Sequence, residues 1–256
     1  MPRLVSWWIC SVIVMIGTVT TGQPVVARTL VVALNNAPPY RIIKDTASGM
    51  SYSGIYIDVV REAASRAGID LEFEVVPFKR ALHLIEKGKA DLMLGPNRTD
   101  ERQKYMYYFG AALPNEPKAV YLGASDADVV SITDLGQKSV GVLRGANYGW
   151  QLEDAKDVRL VEAVDYAALF RMLDLGRIDA LIVPELQGVE QIRQGGPFNI
   201  RKASLVLQGQ PSFIGLSRLS DYYIDGSFTE LEQVLVKMRQ DGTFDAIYDH
   251  YAQPVD

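Results

Sequence analysis

The densest chemistry in this sequence lies in Gly95-Pro96-Asn97-Arg98-Thr99-Asp100-Glu101-Arg102. Thr99 suits a helix N-cap, and Asp100 and Glu101 suit a first helical turn. The free N–H groups of a helix start favour an anion. Arg102, one turn further in, can add a two-pronged contact to a carboxylate. Together these residues suggest recognition of a small carboxylate. They equally describe a capped surface helix with a solvated arginine, since capped helix starts are common. Other chemistries find less support. The sequence has no nucleophile elbow, phosphate loop or histidine-based triad. His83 and His250 are its only histidines. They lie far apart, with no Cys or His neighbour at ligand spacing, so no metal and no cofactor is expected. His83 reads as a surface or boundary residue, and Asn97-Arg98-Thr99 fits the glycosylation pattern only by chance.

Alternating strand and helix signals position these residues. Thr29–Leu34 is β-branched and apolar, as a buried strand would be, and Asn35–Pro39 is a loop. Gly54–Gly68 has helical spacing with a glycine stop. Leu71–Val76 reads as a strand, Phe78–Lys87 as a helix ended by Gly88, and Asp91–Leu94 as a short buried strand. The pattern resumes with strands at Ser139–Leu143, Arg159–Val161 and Asp179–Val183, and a helix over Asp165–Leu175 stopped by Gly176. Pro184 suits the first turn of the next helix. Phe228–Gln240 and Thr243–Tyr251 close the chain as helices. The expected fold class is therefore α/β, with mostly parallel sheets flanked by helices. Ligands in such sheets bind beyond the carboxyl ends of strands, which marks 35–40, 94–102, 145–148 and 184–187. Phe78, taken alone, is an ordinary core aromatic. The cluster Tyr105, Tyr107, Tyr108 and Phe109 reads as packing, and Trp150 either lines a cleft or caps a lobe.

The first residues stand apart. Arg3 precedes the uncharged apolar run Leu4–Ile16, and Val25 and Ala27 fit the small-residue pattern of signal-peptide cleavage after Ala27. The run is 13 residues long, short of the roughly 18 needed to span a bilayer. Residues 1–27 are thus expected to be a cleaved signal peptide that sends the protein out of the cytoplasm. Cys10 is the only cysteine and lies in this run, so the mature chain has no disulfide and depends on its core. Loss of Arg3 leaves 25 of the 26 basic residues against 31 acidic ones. That balance argues against nucleic acid or an anionic membrane as partner.

Several motifs together resemble the family 3 extracellular solute-binding proteins, the periplasmic amino-acid receptors of ABC importers. In order, they are Gly54-Ile55-Tyr56-Ile57-Asp58, Gly88-Lys89-Ala90-Asp91-Leu92-Met93, Thr99-Asp100-Glu101-Arg102, Gly141-Val142-Leu143-Arg144-Gly145 and Gly176-Arg177-Ile178-Asp179-Ala180, with Met238–Tyr248 similar to the family's C-terminal helices. The resemblance implies a two-lobed type II periplasmic binding protein with a ligand cleft between the lobes. Lobe 1 would comprise 28–117, lobe 2 118–210 and the return segment 211–256. It also implies a monomer, a small amino-acid-like ligand and an inner-membrane ABC permease as partner. In family members Arg102's position grips the ligand carboxylate, helped by Gly95 and Asn97. Phe78's position stacks on the ligand, and Ala146 and Asn147 reach the carboxylate from lobe 2. The sequence departs from the family twice. Pro184 stands where an ammonium-binding Asp is usual, so that either Glu185 takes that role or the ligand is not an ordinary α-amino acid. Ala37 replaces an aromatic, for which Tyr40 or Tyr56 can compensate.

No enzymatic role is expected. The alternatives are a dehydratase of the same fold acting on a cyclic carboxylate such as prephenate, with Glu185 as general acid, and a sensory receptor without an importer.

Overall fold

The computed structural model describes residues 28–252, apart from 111–112, 150–151, 153–154 and 156. The expected signal peptide, Cys10 and Trp150 lie outside the described residues.

The chain starts with β1 (Arg28–Leu34), followed by the hairpin β2 (Ile42–Thr46) and β3 (Gly49–Ser53). Next come α1 (Ile55–Ala67), β4 (Ile69–Val75), α2 (Phe78–Glu86), β5 (Leu92–Asn97), α3 (Asp100–Gln103) and β6 (Met106–Tyr108). The long β7 (Leu113–Gly123) leads to β8 (Ser139–Leu143), β9 (Arg159–Ala163), α4 (Tyr166–Asp174), β10 (Ala180–Pro184) and α5 (Glu185–Gly195). The return runs through β11 (Ile200–Ser217), α6 (Asp221–Ile224), α7 (Phe228–Gln240) and α8 (Thr243–Ala252).

One sheet takes in β1 and β4–β11, in the order β4-β1-β5-β11-β7-β10-β8-β9, with β6 added to β11. Its two ends are parallel: β4-β1-β5 in the first lobe and β10-β8-β9 in the second. The centre is antiparallel, because β11 pairs in that sense with both β5 and β7. The expected α/β class is thus present, with a mixed rather than purely parallel sheet. The positions expected as lobe boundaries, 117 and 210, fall within two paired strands, where Gln210 is in register with Glu116. Neither strand's full length was legible in the sequence, since each changes its surroundings midway.

The two lobes repeat one local device. Gly88 and Gly176 end α2 and the α4 turn with φ of 61° and 65°, the left-handed conformation open to glycine. Three residues later, Asp91 accepts the N–H of Val31 (2.8 Å) and Asp179 accepts that of Ser139 (2.7 Å). Each aspartate satisfies a backbone donor where a central strand begins, a group that is costly to leave unpaired. Motif positions quoted for family resemblance therefore have a clear structural duty.

The core has three parts. α1, α7 and α8 cover one face of the first lobe through Ile57, Val60, Leu231, Leu235 and Phe244. A second cluster runs continuously from Phe78 and Ile85 to Tyr121, Phe170 and Leu181, linking the lobes. The third lies inside the second lobe around Val140, Val142 and Ile182. Tyr107 packs against Phe109, Tyr223 and Phe228, and Tyr108 against Phe213, so the aromatic cluster is packing as expected. His83 is exposed beside Glu86.

Gly54 determines the path of the first binding loop. It has φ 110° and ψ 159°, a region essentially restricted to glycine. A Cβ there would meet the Pro39 carbonyl oxygen at 2.7 Å and that of Tyr40 at 2.8 Å. The backbone N–H groups of Ile55 and Tyr56 bond to those same two oxygens. Gly54→Ala is expected to destabilise the protein by about 3 kcal/mol, from strain plus overpacking. Gly68→Ala, where no atom lies within 4 Å, is expected to cost only about 1–2 kcal/mol. Urea unfolding of the two variants measures the difference.

Candidate functional site

A small cavity of about 60 Å³ lies between the lobes, where β7 and β11 cross. The first lobe contributes Tyr40, Arg41, Tyr56, Phe78, Gly95 and Asn97. The second contributes Leu143, Ala146, Asn147, Tyr166, Pro184 and Gln187, and the crossing strands contribute Glu116, Lys118, Gln210 and Ser212.

Its charged groups come from two places. Arg41 follows the 37–40 turn and is 6% exposed. Its Nε donates to the Asn35 carbonyl (3.2 Å) and its Nη1 to that of Leu94 (2.9 Å), while its guanidinium lies over the Tyr56 ring at 5.7 Å. Its Nη2 makes no hydrogen bond among the described residues. Gly95 makes room for it: a Cβ there would meet Arg41 Nη1 at 2.6 Å and Tyr56 Cε2 at 2.7 Å. Glu116 and Lys118 are two residues apart on β7 and so share one face of the strand. Lys118 is also 6% exposed, with Nζ 5.7 Å from the Tyr148 ring and no hydrogen bond or ion pair among the described residues.

Glu116 accepts the Tyr56 hydroxyl proton donor at 2.6 Å. The Tyr40 hydroxyl is buried without a partner of good hydrogen-bond geometry, although Glu116 is near enough to act on it electrostatically. Burial pushes the Glu116 carboxyl up to about 7, opposed by the Tyr56 and Tyr40 hydroxyls and by Arg41 and Lys118. The residue is half-buried and lines the cavity. Burial lowers the pKa of Arg41 and of Lys118, and Glu116 resists the shift in both. It raises those of Tyr40, Tyr56 and Tyr166, which remain neutral donors. In the second lobe the Leu143 N–H donates to the Tyr148 hydroxyl (2.7 Å), which lies 3.0 Å from that of Tyr166.

Six of the sequence-derived residues line this cavity: Tyr40, Phe78, Gly95, Asn97, Ala146 and Asn147. Asn97 also ties β5 to β11 by donating Nδ2 to the Pro211 carbonyl (3.1 Å). The other two lie elsewhere. Arg102 is capped by Thr99 as expected, but α3 is a single turn. Its Nη1 donates to the Asn97 carbonyl (3.0 Å) and its Nη2 to that of Gly145 (2.8 Å), bridging the lobes. It borders a separate open pocket of about 660 Å³ with Lys79, Arg80, Glu101 and Arg144. Glu185 begins α5 and pairs with Lys202 instead of facing the cavity; Gln187 occupies the lining position. Tyr40 and Tyr56, the residues expected to compensate for Ala37, both line the cavity, with their rings 5.0 Å apart.

Sequence reasoning missed Arg41, Lys118 and the site role of Glu116. Arg41 directly follows a marked loop, a usable signal. The β7 pair had none, because it depends on which strand crosses between the lobes.

A family model for bacterial extracellular solute-binding proteins, family 3, matches residues 30–254. The chain belongs to that family. This solute-binding family member is similar to the probable amino-acid-binding protein YxeM of Bacillus subtilis (strain 168), at 20% identity over 221 residues, covering 80% of the chain and 81% of the relative. It is also similar to the L-cystine-binding protein TcyJ of Escherichia coli (strain K12), at 20% identity over 226 residues, covering 87% and 82%. An ancestral arginine-binding protein bound to arginine shares the fold, with a TM-score of 0.73 at 22% identity over 88% of this chain and 98% of that one. Among the described residues no helix is long and apolar enough to cross a membrane.

Glu116 gives this family member a pH signature. Its folded pKa of about 7 exceeds the ordinary 4.5, so the folded state holds more protons between those values. Its stabilising contribution is full below about 4.5 and is lost as pH rises towards about 7. Thermal melts between pH 4.5 and 7.5 are expected to show Glu116→Gln with a weaker fall in stability over that window than the parent protein.

Proposed function

We propose that this family member is a periplasmic receptor that captures a small polar carboxylate, an amino acid or analogue, for ABC-type import. The observation that carries the reading is the interlobe cavity itself, with two cations and several neutral donors converging where the chain passes between the lobes along β7 and β11. In this reading residues 1–27 are removed on export and the lobe boundaries lie near 117 and 210. The receptor acts as a monomer that delivers ligand to an inner-membrane permease. The amino-acid and cystine binding named for YxeM and TcyJ supports the ligand class.

The lobes part to admit ligand and close to shut out water, since a cavity of about 60 Å³ is far below the roughly 300 Å³ of common ligand pockets. Arg102 acts on that closure. Its bond to the Gly145 carbonyl forms only when the lobes meet, and a charged hydrogen bond of this kind contributes about 1.5–3 kcal/mol.

A dehydratase would need a carboxylic acid in the cleft. Glu185 does not line it; Glu116 does. As a receptor, the protein is expected to leave prephenate unchanged on incubation, and release of phenylpyruvate would favour the enzyme.

Isothermal titration with polar amino acids and small carboxylates is expected to give saturable one-to-one binding. Arg102→Ala should weaken it about tenfold, equivalent to about 1.4 kcal/mol. Failure of every compound in both sets to bind would overturn the receptor reading.

A further inference from the structure

The charges inside the closed cleft do not balance. Its lining holds two cationic side chains, Arg41 and Lys118, and one carboxylate, Glu116. The remaining polar lining groups are neutral amides, hydroxyls and phenols. Neither cation has a salt-bridge partner within 4 Å among the described residues. The acid best placed by sequence to add a negative charge, Glu185, is held by Lys202. The cleft therefore has a net charge of +1 when Glu116 is ionised and +2 when it is protonated. Both cations are almost fully buried, and buried charge without a counter-charge is strongly disfavoured.

Their surroundings hold them in place. Arg41 is tied at Nε and Nη1 to backbone carbonyls, and Gly95 provides the space it occupies. Lys118 lies at the end of the β7–β10 pairing, in register with Pro184. Arg41 cannot turn out to solvent without breaking these bonds, and Lys118 is 6% exposed with its ammonium 5.7 Å from the Tyr148 ring.

We infer that the cleft selects ligands of net charge −1 and discriminates against zwitterionic neutral and cationic amino acids. The inference rests on the receptor reading and deepens it to a ligand class. Two kinds of compound meet the condition. An acidic amino acid places two carboxylates against Arg41 and Lys118 and its ammonium against Glu116. A small oxo- or hydroxy-carboxylate places its single carboxylate between the cations and leaves Glu116 to the Tyr56 hydroxyl. Both neutralise the cleft. A neutral amino acid leaves one positive charge unmatched, and arginine, the ligand of the structurally similar ancestral protein, leaves two.

The test is calorimetric titration of the full mature chain at pH 7.5 with L-aspartate, L-glutamate, pyruvate and glycolate against L-asparagine, L-glutamine and L-arginine. The acid–amide pairs have nearly the same shape, so their comparison isolates charge. At least one net −1 compound is expected to bind tenfold or more tightly than either amide, with L-arginine weakest. Aspartate or glutamate as the tightest ligand identifies an ammonium at Glu116; pyruvate or glycolate identifies its absence. Lys118→Met, which keeps the length and apolar stem of the side chain, is expected to reduce the preference at least tenfold, and its circular dichroism and melting curve establish that it is folded. If Lys118→Met does not fold, the parent protein's acid–amide comparison decides alone. Saturable binding of an amide or of arginine as tightly as the acids would overturn the charge selection and leave the receptor reading standing. Absence of binding by all seven compounds would overturn the selection here as well, and only failure of the wider panel would remove the receptor reading.

Discussion

Where β7 and β11 pass each other, Glu116 lies in register with Gln210, and the rest of the cleft is arranged around that antiparallel pairing. The sheet reverses its sense there, from parallel in each lobe to antiparallel between them. This reversal lets the two lobes share one sheet. It also brings a polar strand face into the interior, a placement that requires partners for each buried group. Tyr56, Tyr40 and Arg41 reach Glu116 from the first lobe and Tyr166 approaches from the second, so the carboxylate couples both lobes to the crossing strand.

The same pairing accounts for the mixture of stability and strain in the site. Two cations close to one partly protonated acid would be unfavourable in a cleft dedicated only to stability, because apolar packing is often at least as stabilising as buried ions. The surrounding structure is well paired. Asp91 and Asp179 anchor their strands, Asn97 ties β5 to β11, and Arg102 spans the lobes through two carbonyls. Among the described residues, Arg41 and Lys118 are the buried cations that line the cavity, and Glu116 is its one carboxylate.

Much of the fold was legible in the sequence because it depends on local rules. Glycine stops, the Thr99 cap and the apolar periods of α1 and α7 correspond closely to the observed elements. The repeated Gly-x-x-Asp turns were visible as motifs, and their structural duty became clear once Val31 and Ser139 were seen to donate to them. The β2–β3 hairpin escaped notice because its strands are mostly exposed and polar. The lengths of β7 and β11 escaped because neither strand keeps one burial pattern from end to end.

By itself the sequence determined the family, the alternation of strands and helices, and six of the residues around the cavity. Each of these follows from local spacing or from motifs in order along the chain. Only the tertiary structure decided the charges of the cleft. Arg102 and Glu185, the charged residues singled out in the sequence, lie outside the cavity, held by the Asn97 and Gly145 carbonyls and by Lys202. Arg41, Glu116 and Lys118 occupy the cavity instead. The reason is physical: a side chain's electrostatic role depends on which groups surround it in three dimensions, and those surroundings were created by a strand crossing more than ninety residues from its partner in sequence.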